Sequence, residues 1–396
     1  MSSISFFFQC LRNKCISRKI SLYQRVVRGQ FIRVTLPFVC HQIQDLVELG
    51  EYGVCVSLSV SRYDYKSYSQ EFMMLSEKEK SMIKEIVFLS SEVMYTVDDG
   101  FIPMSVKSVT MESSFNQPIT MLLFPSSVEK INLSNAYYFQ HIIDIDQLPE
   151  NLTELSLPRL AQEPFVNGPF SPSLKKLKIQ GFLAPFNQHI LSEGLETLEL
   201  GPYKHFSSPL PSTIKTLIIP NINTIQNLPP SLTDVVSKCF GVDTQLPSTV
   251  EKLKYTQGSG FLHRFPTVPI HLRELECFVL EHYIDIDPGC LPKSLEKLSL
   301  FGFPGKIHPG AIGPNVSDLT LILSKKKTNF DDIHIPLDGG IKKMYLVVGE
   351  LSKLPKSQIV PHSVTNLKLL STDKQFVKDN IPKHCITLDL LDSPLP

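Results

Sequence analysis

The residue types that could do chemistry are present, but their spacing does not support it. The eleven histidines are scattered, none has metal-ligand spacing to a carboxylate, and H-E-x-x-H is absent. Gly258-Ser-Gly260 places a serine between glycines, as a nucleophile elbow or phosphate loop would, without the remaining positions of either. Asp98-Asp99-Gly100 opens like a calcium loop with no ligand series behind it, so it reads as a turn. Asn132-Leu-Ser134, Asn151-Leu-Thr153 and Asn315-Val-Ser317 match the glycosylation sequon. With no secretory signal recognised ahead of them, all three read as unmodified. Lys325-Lys-Lys327 reads as a solvated loop. Cysteines 10, 15, 40, 55, 239, 277, 290 and 385 form no C-x-x-C pair. Cys277 and Cys385 fall where the repeat described below wants core residues, so free buried thiols in a reducing compartment are expected. The chain reads as a non-enzyme with no catalytic, cofactor-binding or metal-binding residues.

Composition narrows the alternatives. Lys plus Arg equals Asp plus Glu at 39 each, which argues against a nucleic-acid binder needing a clustered basic surface. Hydrophobic residues make up 42%, enough to bury a core, and no apolar run approaches the ~20 residues of a membrane span. Of 30 prolines only Pro37 precedes residue 100; the rest run from Pro103 to Pro396. That step predicts a boundary near residue 100, with 1–99 as one segment and 100–396 as another. Interior proline breaks long helices and central strands, so the second segment must be built of short pieces.

Those pieces repeat. The chain reads Pro149-Glu-Asn-Leu152-Thr-Glu-Leu155-Ser-Leu157, then Pro211-Ser-Thr-Ile214-Lys-Thr-Leu217-Ile-Ile219, then Pro292-Lys-Ser-Leu295-Glu-Lys-Leu298-Ser-Leu300. Taking the first apolar residue as the anchor, anchors fall at Val106, Val128, Leu152, Leu174, Leu195, Ile214, Leu232, Val250, Leu272, Leu295, Val316, Ile341, Val364 and Cys385, 18 to 25 residues apart. A degraded copy begins at Ile83. A period near 21 signals a solenoid. Apolar residues at anchor, +3 and +5 with polar ones at +2 and +4 make a short alternating strand, inward at +3 and +5. Strands returning in one sense must stack in parallel, one per repeat. Proline three before the anchor and Ser or Asn just before it suit the turn into the strand. The intervening residues are too few and too rich in Pro and Gly for long helices, so an irregular or 3₁₀-like convex side is expected.

Phe115-Asn-Gln-Pro-Ile119 followed by Pro125-Ser-Ser-Val128-Glu-Lys-Ile131 resembles the FNIP repeat, a leucine-rich-repeat relative. Its first half recurs at Phe139-Gln140 with Ile143, Phe186-Asn187 with Ile190, and Phe303-Pro304 with Ile307, Gly310 and Ile312. The resemblance covers about 100–396. It implies a mainly β, leucine-rich-repeat-like solenoid of about 14–15 parallel rungs that serves as a scaffold for protein contacts, with no catalytic residues.

The first 99 residues read as a small helical or mixed cap. Phe8, Leu11, Cys15, Ile16 and Ile20 have amphipathic-helix spacing. The alternative is an F-box-like segment that recruits a ubiquitin ligase, making the chain a substrate adaptor. Residues 1–44 also hold seven Lys or Arg and no acid, the signature of a mitochondrial presequence, and this stands as the alternative to a cytoplasmic location.

Periodicity exposes one charged constellation. The +2 column contains Lys130, Glu154, Lys176, Asp234, Lys252, Glu274, Lys297, Asp318 and Lys343, and neighbouring charges always alternate in sign. Lys107–Glu129, Lys175–Glu196, Glu196–Lys215, Glu251–Arg273 and Arg273–Glu296 repeat the pattern at +1. A face whose charges pair along the stack is a poor trap for nucleic acid or anionic lipid. Selectivity for a protein partner is therefore assigned to the +4 positions Lys178, Glu199, Lys254, Glu276, Tyr345 and Lys368. The last rung, Cys385 to Leu390, is followed by six residues containing Pro394 and Pro396. It reads as a guarded end on a monomer, with an end-to-end dimer as the alternative.

Overall fold

Most rungs begin at a turn closed by a proline, with Ser171, Ser192 and Gly313 in its place before Leu174, Leu195 and Val316. The anchor N–H donates to the carbonyl three residues earlier: Val106 to Pro103 at 3.0 Å, Leu152 to Pro149 at 3.0 Å, Leu295 to Pro292 at 3.1 Å. Proline has a carbonyl to accept and no N–H left to satisfy, so it suits this first position of a tight turn. The computed structural model describes residues 32–34, 56–60, 74–89, 96–113, 115–160, 165–182, 188–202, 210–225, 227–239, 244–255, 268–278, 285–323, 332–348, 358–371 and 374–390. These fall into two compact units, Met1–Leu195 and Glu196–Pro396.

In the first unit, strands β1 (Ile32–Val34), β2 (Val56–Val60), β3 (Ile83–Phe88), β4 (Ser108–Met111) and β5 (Lys130–Asn132) pair in parallel, each with the next. A two-residue β6 (Ile143–Asp144) lies off this sheet, which continues with β7 (Glu154–Leu160). Another short strand, β8 (Phe165–Val166), pairs with β6, and β9 (Lys176–Phe182) pairs with β7. The copy anticipated at Ile83 is real: Ile86 pairs with Val109, and Ile83, Ile86 and Phe88 are fully buried. Helix α1 (Glu77–Ser81) precedes it, closed by a capping box in which Ser76 accepts from the Glu79 N–H while Glu79 accepts from the Ser76 N–H. Strands β1 and β2 extend the parallel sheet into the segment read as a cap. The proposed amphipathic helix at residues 8–20 lies outside the described residues.

In the second unit, β10 (Thr197–Leu200), β11 (Thr216–Asn221), β12 (Asp234–Cys239), β13 (Lys252–Tyr255), β14 (Glu274–Phe278), β15 (Lys297–Phe303), β16 (Asp318–Leu323), β17 (Lys343–Val348), β18 (Asn366–Ser371) and β19 (Thr387–Leu390) are all parallel and consecutive. Register follows the repeat: Leu217, Val235, Leu253, Leu275, Leu298, Leu319, Met344 and Leu367 occupy one inward column, each at most 4% exposed. In the first unit Leu155 pairs with Leu177 at the same repeat position, both fully buried.

Two devices hold consecutive rungs in register. The +1 carbonyl of one rung accepts from both the +1 and +2 N–H groups of the next: Glu251 O from Arg273 at 2.8 Å and from Glu274 at 3.0 Å. The same pairing recurs at Lys107, Glu129, Thr233 and Arg273. The residue before the anchor supplies the second. The Ser294 hydroxyl lies 2.8 Å from Ile270 O and 2.7 Å from Leu272 O, both on the preceding rung. Ser173, Ser231, Thr249 and Ser363 bridge the same two positions, and Asn151 and Asn315 reach the first of them with Nδ2. This explains two of the three sequons: those asparagines are staples. Where the position is Gly194, φ is +115° and an added Cβ would meet Pro172 O at 2.7 Å, so the carbonyl that a serine would engage occupies the side chain's place.

The back of each unit is irregular, with 3₁₀ turns at Ile145–Gln147 and Gln188–Ile190 in the first and Ile222–Thr224 in the second. Phe115 and Phe139 stack there at 5.8 Å and 4°. In the second unit a thin parallel ladder joins Ile286, Ile307 and Ile333. Helix α2 (Lys374–Asn380) ends on buried Asn380, whose Oδ1 accepts from the Ile359 and Val360 N–H groups. Cys239, Cys277, Cys290 and Cys385 are free. Burial pushes the Cys277 thiol up to about 12. Cys385 departs from expectation: it is half-buried, and Leu388 on the same rung is 42% exposed. Among the described residues β19 pairs with β18 on one side, so these side chains are covered from one side.

Two substitutions test this architecture. Leu253→Ala empties part of the inward column and should cost about 2–5 kcal/mol in urea unfolding. Ser294→Ala leaves two carbonyls of the preceding rung without their donor and should cost about 1 kcal/mol, with Ser294→Thr close to wild type.

Candidate interaction surface

Alternation along most strands places +2, +4 and +6 on the outward face; Ser299 in β15 and Pro158 in β7 are buried exceptions. In β14, Glu274, Glu276 and Phe278 are partly exposed while Leu275 and Cys277 are buried. The +2 column of the second unit is in register from Asp234 through Lys252, Glu274, Lys297 and Asp318 to Lys343. In the first unit Lys130, Glu154 and Lys176 align in the same way. Ion pairs close at Lys130–Glu154 (2.5 Å) and Lys252–Glu274 (3.2 Å), and at +1 for Lys107–Glu129 (2.7 Å), Lys215–Glu196 (2.9 Å) and Arg273–Glu296 (3.6 Å). The hydrogen bond to Glu274, the Glu274 charge and then Asp234 raise the Lys252 pKa above the ordinary lysine range. What this ammonium contributes is complete below that range and is lost as pH rises through the raised value.

The +4 positions carry a ladder of their own. Lys254 and Glu276 are in register and pair at 2.7 Å, with side chains 40% and 30% exposed against 53% and 41% for Lys252 and Glu274. Lys368 pairs with Asp389 at 3.5 Å. Tyr345 lies between Thr320 and Lys368 in register. Lys178 aligns with Ser156 in the first unit, and Glu199 with Ile218 in the second. The charged +4 residues near Lys254 thus belong to the same paired face as the +2 column. A shallow depression of about 180 Å³ opens there, lined by Val236, Lys252, Lys254, Glu274 and Glu276 among others.

The +6 column was missed, because the repeated phrase was read only to +5. Phe278, Phe301, Ile322, Val347 and Leu370 are in register on five consecutive strands, all outward and partly exposed. Phe278 and Phe301 stack face to face at 4.3 Å and 6°, and the Lys254 ammonium sits 5.2 Å from the Phe278 ring centre. Extending the phrase by one residue, to +6, reaches this column.

Among the described residues no group of three or more His, Cys, Asp or Glu could hold a metal ion. Asp98 to Phe101 is a turn, the Phe101 N–H donating to Asp98 O at 3.1 Å, with Gly100 at φ +77°. Gly258-Ser-Gly260 and Lys325–Lys327 lie outside the described residues.

The family model described as FNIP Repeat matches residues 97–136, the segment holding β4, β5 and the stacked Phe115. No curated protein matches the chain. Among solved structures, the chain is similar to CroV588, described as a novel circular leucine-rich-repeat protein, with a TM-score of 0.51 and 17% identity over 78% of this chain. That likeness speaks for the fold, and the chain spans about half of that protein, 53%. The chain thus carries an FNIP-repeat match at residues 97–136 and has the fold of a leucine-rich-repeat-like solenoid.

Lys252→Glu would set three acids on consecutive rungs, with Asp234 and Glu274 on either side. Thermal unfolding should show a modest loss of stability that shrinks as salt rises from about 0.05 to about 1 M. A difference indifferent to salt would show that the ladder contributes no electrostatic stabilisation.

Proposed function

We propose that the chain is a non-enzymatic scaffold that holds protein partners on the outward face of its parallel sheet. One observation carries this reading: successive rungs display +2, +4 and +6 side chains in columns whose spacing is set by backbone hydrogen bonds, a pre-ordered surface that loses little entropy on binding. FNIP and leucine-rich-repeat-like solenoids are typically scaffolds without catalytic activity, and concave repeat surfaces serve protein recognition. Balanced formal charge and paired columns favour a protein partner over nucleic acid or an anionic membrane. The four described free cysteines suit a reducing compartment such as the cytoplasm.

The test is site-resolved photo-cross-linking in the native host. A photoreactive residue at Thr320 or Tyr345, on the outward face, should trap discrete protein partners. The same residue at exposed Asp287, on the back, should not. Equal cross-linking from both sides, or none from the sheet face, overturns the reading.

A further inference from the structure

The +6 column is out of character for an exposed sheet surface. A parallel sheet is normally covered on both faces, and large apolar side chains presented outward in an unbroken row mark a surface that something covers. The row begins at Phe278, with its ring under the Lys254 ammonium, and runs through Phe301, Ile322 and Val347 to Leu370. Five rungs at ~4.8 Å make a stripe about 19 Å long.

Its flank is as regular as the stripe. At +4 the end charges are held, Glu276 by Lys254 at 2.7 Å and Lys368 by Asp389 at 3.5 Å. Between them stand the hydroxyls of Thr320 and Tyr345, while Ser299 in the same register is buried. At +2 the sign alternates rung by rung: Glu274, Lys297, Asp318, Lys343.

We propose that this stripe is the seat for an amphipathic α-helix of the partner, lying along the stack and across the strands. The proposal rests on the scaffold reading and names the partner's form. Spacing and charge select this occupant. A helix presents one apolar anchor per turn at about 5.4 Å, so five anchors drift from five rungs by only ~2 Å. An extended peptide presents same-face residues every ~6.7 Å and slips by about 8 Å, more than a full rung. The +2 column adds charge complementarity: a helix edge alternating cation and anion turn by turn meets opposite charges at each rung, whereas an edge of one sign meets repulsion at every second rung.

The probe is a fluorescein-labelled 18-residue helical peptide with five leucines at helical spacing and an edge alternating Lys and Glu. Its binding to the full chain is read by anisotropy. Saturable binding is expected, weakened about tenfold or more by Phe301→Glu and by the milder Ile322→Ser, both checked for unchanged thermal unfolding. A shuffled peptide, one broken by two central prolines, and one with an all-Lys edge should each bind more weakly. Equal binding by the shuffled or proline-broken peptide, or affinity indifferent to both stripe variants, overturns the proposal. If the peptide does not bind and Thr320 cross-links to partners persist in the Ile322→Ser chain, the helix proposal falls while the scaffold reading stands.

Discussion

Every other feature of this protein depends on how one rung's carbonyls are satisfied by the next rung. A strand of three to seven residues buries too little to stand alone. Its +1 carbonyl receives two N–H donors from the next rung, and its anchor and −2 carbonyls receive a hydroxyl or amide from that rung's staple. The anchor carbonyls are part-buried beside the leucine column, where an unpaired carbonyl costs on the order of 1–3 kcal/mol. Stacking is thus the condition for burying the column at all, and the side chains inherit their alignment from it.

This backbone rule tolerates irregular repeats. Anchors lie 18 to 25 residues apart, yet the inward column stays in register, and shifts fall only at Val56/Ser57 in β2 and at Phe301/Phe303 in β15. The extra residues are absorbed behind the sheet, in 3₁₀ turns, the β6–β8 pair, the Ile286–Ile307–Ile333 ladder and helix α2. Two side chains carry polar atoms into the core with partners: Asn380 takes the Ile359 N–H, and Ser237 Oγ accepts from the Ile222 N–H and donates to Cys239 O, closing the turn after β11.

What could be read from the sequence divides along the same line. The inward leucines and the +2 alternation obey a period within the phrase, so Leu253 and Lys252 could be placed before any coordinates. The staple was half legible. Ser before the anchor was expected to satisfy a local turn group, but its acceptors lie about twenty residues back, on the preceding rung, and a local reading cannot reach them. Strands β1 and β2 lack the proline-led phrase, so the helical spacing of residues 8–20 dominated the reading of that segment. The +6 stripe escaped because it occupies five rungs of one unit and is absent from the phrase common to all.

The two couplings between rungs differ in what they demand of a neighbour. The staple engages main-chain carbonyls, which every rung offers, so any rung can follow any other and the number of rungs is free to drift by duplication or loss. The ladder recognises sign and counts in twos. Losing the β14 rung would set Lys252 against Lys297, whereas losing β14 and β15 together would set it against Asp318 and leave the alternation whole. A lineage that gains or sheds rungs in this region should therefore conserve parity more strictly than length.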